Sequence, residues 1–556
     1  MELKKTILIL ILISTQFWGC SQTTFNIETS VSFKTTDVVL QTLFDEAEKQ
    51  AKLNINKFGN YQVLVEGGGY NNVWLETQPM GGYMYAKRNI GVARNNIQIF
   101  MDFQREDGRL PGMISSNNDS LVPHYGWFQG YCFPMPAFEL YFWLNKDKDY
   151  LRQLYNTLIQ FDSYLWKTRD SDGDGCLETW CVYDTGEDNS TRFGESPNAW
   201  PFDYPPSEEQ IMNMSEKERK EICHKSSFDF SKAFPVPIES MDIMSYSYSG
   251  RKVLSLISKE LKNGKESYWQ DKAYEIRQKL KNYLWDEKRH AYYDKDKSNN
   301  TMDILLHNNL RCMYYGSFDQ QMADEFIKYH LMNPDEFWTS MPLPSIAIND
   351  LFFRNNPIND WSGQPQALTY QRSIRALENY GHYAELTMIG LKCLKAVGDS
   401  LKFTQQFEPF KGNAVTATQN SGYGPSILAS LEFISRMYGI HMTQDEIYWS
   451  CLNGDKEIDY LQKIGDKSYR LITKGEQVHC FISGVEVFSF DRGIRIVTDL
   501  EGKITLIVGI ETHNVKSTII CKEGNFTLSI DPNTIHNYNG KFYKTRGIDY
   551  YKPLKD

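Results

Sequence analysis

From Asp37 to about Gly439, apolar residues return every third or fourth position in one segment after another. Val38, Leu40, Leu43, Phe44 and Ala47 are one such set. Ile90, Ala93, Ile97, Phe100 and Met101 are a second, and Leu151, Leu154, Leu158, Phe161 and Leu165 a third. The pattern recurs at Val253–Leu261, Ala273–Leu284, Leu386–Val397 and Ile427–Ile434. Side chains three and four apart share one face of a helix, so each set predicts an amphipathic helix with one side to cover. Helices joined by short Gly- or Pro-containing links cover those sides by stacking as hairpins. No strict sequence repeat accompanies them. Past Gly439 the period changes. Ile494–Val497, Ile504–Val508, Thr518–Cys521 and Phe526–Ile530 are short, β-branched and partly alternating, with turns such as Glu501-Gly502 and Asn539-Gly540 between them. They predict antiparallel hairpins. The organisation expected is a helical unit over 37–440 and a β-sandwich-like unit over 441–556, preceded by a short polar leader over 21–36.

Residues 1–20 read as a processing segment. Lys4-Lys5 precede a short apolar run that ends in Phe17-Trp18-Gly19-Cys20. The run is too short to span a bilayer as a helix and has the layout of a signal peptide. The Gly-Cys ending resembles a bacterial lipoprotein signal, with Cys20 the lipidated first mature residue. The expected location is the bacterial envelope, periplasm or cell surface, with the lipid as the only membrane contact. Net charge is −10 with no basic run, which argues against a nucleic-acid partner. Nine cysteines follow Cys20. A Cys176–Cys181 bridge is conceivable in an exported chain, but small buried apolar residues describe most of them better.

The chemistry concentrates in Trp180–Phe193, which holds Asp184, Glu187, Asp188 and Arg192 among aromatics. It follows a helix and a polar turn. Paired carboxylates beside aromatic rings suit glycosidic bond cleavage: one acid protonates the leaving oxygen and another activates water, while rings pack on the sugar's C–H face. A solvated acidic loop is the alternative. The preceding turn, Asp170-x-Asp172-x-Asp174-Gly175, has the first half of a calcium loop with Glu178 at its ninth position. Cys181 at the twelfth removes the bidentate ligand, so a polar turn without metal is expected and calcium there is the lesser alternative. The glycines of Glu66-Gly67-Gly68-Gly69-Tyr70 lack the pattern of a phosphate loop.

Gly186-Glu187-Asp188-Asn189-Ser190-Thr191-Arg192-Phe193 resembles the Gly-x-Asp-Asn-Ser-Pro-Arg-Trp signature of glycoside hydrolase family 63 and its mannosylglycerate-hydrolase-like relatives, and the related segment of trehalases. Gln104–Pro111, Phe337–Ala347 and Trp361–Gln366 extend the likeness in the family's order, over roughly residues 80–435. The resemblance implies a mainly α fold, an (α/α)6 toroid, followed here by the antiparallel β domain. It also implies an oligosaccharide substrate, inversion at an α-glycosidic bond and Asp188 as general acid. An aspartate in that role needs a raised pKa, to which neighbouring Glu187 and Trp180 are the expected contributors. Trp127, Trp180, Asn189, Arg192, Trp361 and Gln405 become candidate substrate contacts, Arg192 alternatively serving structure. The segment Tyr125–Gln129 is expected to open a helix.

Two departures matter. Ser362 stands where the family has arginine. In Phe403–Gly412, which resembles the family's x-Glu-x-Tyr-Asp-Pro-x-x-Gly, the glutamate that acts as base is replaced by Gln405. An amide takes no proton near neutral pH, although it can orient water. Four outcomes stay open: Glu408 is the base; another loop supplies it, as Glu66 or Glu239; phosphate attacks instead of water; or the site binds glycan without cleaving it. A lyase using His124 and Tyr125 is a further, remote alternative.

Overall fold

The computed structural model describes residues 27–117, 120–222 and 235–553. Cys20 and the rest of the processing segment lie outside them. No helix among the described residues is long and apolar enough to cross a membrane.

Six helices form a closed inner ring: Gln78–Tyr85, Pro134–Trp143, Met241–Leu261, Asn308–Tyr315, Ala367–Glu378 and Gly424–Tyr438, each packing on the next and the last on the first. Six more stand outside: Ile90–Asp102, Lys148–Thr168, Glu266–Tyr283, Gln320–Phe326, Tyr383–Ser400 and Val38–Leu53. The molecule is an (α/α)6 toroid followed by an antiparallel β domain. Burial separates the two rings. Outer helix Glu266–Tyr283 buries only Trp269, Ala273, Ile276 and Leu280, a single stripe at helical spacing. Inner helix Ala367–Glu378 buries residues all round, including Gln371 and Arg372. A helix enclosed on every side must find partners for such groups, since an unpaired polar group in a dry interior costs about 1–3 kcal/mol. Segment Tyr125–Gln129 is not helical; the inner helix begins at Pro134, where a proline tolerates the first turn.

Helices give way to strands at Gly439. Two antiparallel sheets follow, of six and seven strands. They meet face to face: Trp449 of one stacks edge-on against Phe488 of the other at 5.7 Å. The seventh strand is Thr29–Thr35, which pairs in register with Ile458–Ile464. Residues 29–35 are thus not leader but the edge of the C-terminal sheet. The reason is Phe33, whose buried ring lies between Phe44 of the toroid and Tyr460 of the sheet. Val31 and Phe33 alternate among polar residues, too short a pattern to read as a strand.

Candidate active site

In a toroid of alternating helices, every outer-to-inner connection emerges at the same rim. Glu66, Tyr70 and Glu76 lie in the connection 54–77, Trp127 in 103–133, Asp188 in 169–240, His307 in 284–307, Asn359 and Trp361 in 332–366, and Gln405 and Tyr423 in 401–423. Residues hundreds of positions apart therefore converge on one end of the ring.

The acidic stretch is fastened to the loop across from it. The Trp361 amide donates to the Asp188 carbonyl (3.0 Å), the Thr191 amide to Ser362 Oγ (2.9 Å), and Arg354 to the Asn189 carbonyl (2.8 Å). Asn189 donates its side-chain amide to the Asn359 carbonyl (2.8 Å), and both asparagines have positive φ, a conformation Asn adopts at less cost than most residues. Ser362, which stands where the family has arginine, is a buried link between these loops.

Asp188 is half-buried, and Asn359 Nδ2 donates to its Oδ2 (2.8 Å). Asn359 Oδ1 accepts from Gln405 Nε2 (2.8 Å), and Gln405 Oε1 accepts from the Tyr70 hydroxyl (3.0 Å). Burial pushes the Asp188 carboxyl up to about 7; the Asn359 bond opposes this and the charge of Glu76 adds to it. Glu187, the expected source of that repulsion, is instead held well below the usual range: burial would raise it, but Arg192, His307 and Arg311 outweigh burial. Glu66, with its Oε1 accepting from the Tyr423 hydroxyl (2.9 Å), is raised well above its ordinary value by burial, then by Glu76 and more weakly by Asp188. Glu76 pairs with Arg372 (2.7 Å).

Several expected substrate contacts are framework. Trp180 is fully buried, donates to Glu178 (2.6 Å) and lies under the Arg169 guanidinium at 4.1 Å, so it offers no face to a sugar. Arg192 is buried among Glu187, Asp242 and Asp294, with its Nη2 2.8 Å from Asp242 and 2.6 Å from Asp294. Three carboxylates around one guanidinium leave no donor directed at a ligand. Asn189 is a loop tie. Trp361 is buried edge-on to His307 at 5.7 Å. Trp127 is half-buried against Tyr183 at 5.7 Å and is the one candidate ring with exposed surface beside Asp188's neighbours. Glu408 does not join the group: it accepts from the amides of Phe410 and Lys411 and from Asn355 Nδ2 (2.7 Å), closing its own turn. His124 stacks on Trp127, whereas the Tyr125 hydroxyl is tied to the Phe103 carbonyl (2.7 Å), so the two do not act as a pair. Cys176 and Cys181 are both free and buried. Asn359, Tyr70, Glu76 and Tyr423 were missed; only Tyr70 sat in a stretch already singled out, and none belongs to a pattern.

Glu239 lies with Asp172 and Glu178, their carboxylate oxygens within 4.8 Å of one another, and Asp170, Asp172 and Asp174 form an adjoining group at the same spacing. Glu239 Oε2 is buried without a hydrogen-bond partner. Its carboxyl is pushed up to about 8 by burial and by Asp174, Glu178 and Asp172, against a bond from Cys176. The ligand missing from the loop's twelfth position thus has a counterpart from a distant strand. Oxygen donors in this number suit a calcium-sized cation, while Asp170, Asp172 and Asp174 also accept from backbone amides of their own turn, as the polar-turn reading expects.

Loops from all six connections thus gather at one mouth of the (α/α)6 ring around the half-buried Asp188, and the class of protein is glycoside hydrolase, as the family match shows. Residues 83–424 match the mannosylglycerate hydrolase MGH1-like glycoside hydrolase domain, and the chain belongs to that family. Among solved structures, it resembles the GH63 mannosylglycerate hydrolase from Thermus thermophilus in complex with glucose (17% identity, TM-score 0.55, covering 70% of this chain and 99% of that one). It also resembles the neutral trehalase of Saccharomyces cerevisiae (13%, 0.50, 70% and 80%). The α-L-rhamnosidase of Dictyoglumus thermophilum matches over more of this chain (11%, 0.50, 91% and 50%). At these identities the likeness is one of fold. No curated protein matches the chain.

Proposed function

We propose that the protein is an exported glycoside hydrolase that cleaves an α-glycosidic bond of an oligosaccharide with inversion, Asp188 serving as general acid. The observation that carries the reading is Asp188 itself. Its carboxyl, pushed up to about 7 by burial and by Glu76, keeps a proton near neutral pH, as an acid that protonates a leaving oxygen requires. Asn359 fixes which oxygen is available by occupying Oδ2. Trp127, half-buried against Tyr183, is the ring assigned to pack on a sugar in this reading. Attack by phosphate has less support: among the described residues no cation is bonded to Asp188, and the nearby Arg354 is paired with Asp360 and tied to the Asn189 carbonyl.

Mannosylglycerate, trehalose and a panel of α-linked oligosaccharides are the substrates to assay, with the product's anomeric configuration read by NMR. The expected outcome is a β-configured product from an α-linked bond, and a fall of about 10²–10⁴-fold in kcat for Asp188→Asn. Unchanged turnover in that variant removes the assignment. Gln405 favours a second reading, a surface glycan-binding protein on the same ring. It predicts binding without turnover, equal in wild type and Asp188→Asn. Export and lipid attachment belong to the proposal; Cys20→Ser should release the protein from the membrane fraction and abolish lipid labelling.

A further inference from the structure

We propose that Glu66 is the catalytic base of this site, taking the proton from the water that attacks the anomeric carbon; the assignment rests on Asp188 being the acid. Each rival carboxylate has another engagement. Glu408 closes its own turn, Glu239 faces Asp172 and Glu178, Glu187 is bound to Arg192, and Glu76 to Arg372. Gln405, where the base was expected, is an amide. Glu66 has no cationic partner among the described residues, so no guanidinium or ammonium weakens it as a proton acceptor.

Its place is firmly built. The Gly424 amide donates to the Glu66 carbonyl (2.6 Å), and the Val65 amide to the Asn54 carbonyl (2.8 Å). Gly67 follows with φ +75°, and a Cβ there would lie 2.3 Å from the Gly422 carbonyl oxygen. The chain between Glu66 and Tyr70 is thereby pressed against the segment 420–424. Four residues on, the Tyr70 hydroxyl reaches Gln405, and its ring meets Tyr423, the donor to Glu66, edge-on at 6.2 Å. Glu66 and Gln405 thus share one wall, two tyrosines apart, and the proton-accepting role has moved along that wall. The Asp188 charge is among those that raise the Glu66 carboxyl, so the two carboxylates lie within electrostatic reach of each other. In the productive arrangement Asp188 is protonated, which removes one of the charges that raise Glu66, and Glu66 is ionised with the Tyr423 hydroxyl donating to it against the effect of burial. The water oxygen bonds to the anomeric carbon as the bond to the aglycone breaks. The Asp188 proton goes to the departing oxygen and the water's proton goes to Glu66, leaving a free alcohol and a sugar of inverted configuration.

The test uses α-D-glucosyl and α-D-mannosyl fluoride with the full chain. Fluoride departs without protonation but water still needs a base. Asp188→Ala should keep fluoride release. Glu66→Ala and Glu66→Gln should lose it by at least about 10²-fold with unchanged thermal midpoints. Sodium azide should restore turnover to Glu66→Ala, yielding the β-glycosyl azide, which also shows that the variant is folded. Fluoride release by Glu66→Ala near the wild-type rate overturns the proposal. Azide rescue of Asp188→Ala in place of Glu66→Ala shows that the acid reading has failed and the roles are exchanged. A wild type that turns over neither fluoride nor any oligosaccharide overturns the hydrolase reading and Glu66 with it.

Discussion

Asn359 stands between Asp188 and Gln405, donating to one and accepting from the other. A hydrogen bond to an ionised carboxylate favours the charged form, so removing it raises the pKa. Asn359→Ala should therefore move the basic limb of the kcat/KM profile upward from its wild-type position near 7, while kcat falls as Asp188 loses its orientation. A downward shift would contradict the arrangement. Arg192 makes a different prediction, because its partners are buried charges. Arg192→Met leaves Glu187, Asp242 and Asp294 without their common cation. Breaking a buried pair from one side costs about 3–5 kcal/mol, to be read in urea unfolding, and adding more substrate should not restore activity as it would for a lost ligand contact. Asp188 and the acidic run around it were legible in the chain because the residues are contiguous. The partners were not. Asn359 is a single polar residue 171 positions from Asp188, and no spacing rule connects them. Trp180 and Arg192 misled for a related reason: residue type does not reveal whether a ring or guanidinium has a free face.

At the scale of elements, the turn 170–178 and the two-residue strand Ile238–Glu239 come together through the pairing of Glu178 with Glu239. Calcium should raise the thermal midpoint, since a ligand at 100 times its Kd adds about 2.7 kcal/mol. EDTA should reverse the gain and Glu239→Gln should remove it. A calcium-independent midpoint in the wild type would falsify cation binding here. The acidic turn was visible up to its ninth residue; the carboxylate that joins it was not, because Glu239 arrives from another element. Helices were legible for the opposite reason. Their period is local, and outer helices such as Glu266–Tyr283 keep it cleanly. The segment 125–129 looked like a helix start through its aromatics, but its residues pack on Tyr183 and Asp184 in place of a following turn.

At the scale of the whole molecule, the strand that precedes the first helix closes on the C-terminal sheet. Deleting residues 1–36 as though all were leader removes strand Thr29–Thr35 and uncovers the Phe33 site. The Phe33 side chain alone is worth about 1.5–3 kcal/mol, so this truncation should lower the thermal midpoint by several degrees, whereas a chain beginning at Phe25 should not. The toroid and β domain also meet at His382. Its Nε2 is 2.9 Å from Asp324 and its Nδ1 3.4 Å from Glu385, which accepts from Asn533 of the sheet. Burial would lower this histidine's pKa, but the two carboxylates outweigh it and the net shift is upward. A raised folded-state pKa means the contribution is complete below about 6.5, the unfolded value, and is lost as pH rises through the folded value. The stability gap between wild type and His382→Gln should therefore be wider at pH 6 than at pH 9.

The order of residues by itself determined the change from helical to strand periodicity at Gly439, the hairpin-by-hairpin build and the location of the acid-bearing stretch, because each depends on neighbours within a few positions. Only the tertiary structure decided which polar residues surround Asp188, which arginine is sealed among acids and where residues 29–35 belong. Charge pairing and burial depend on distances in space, and the ring brings Glu66, Asp188 and Gln405 to one rim from three distant parts of the chain.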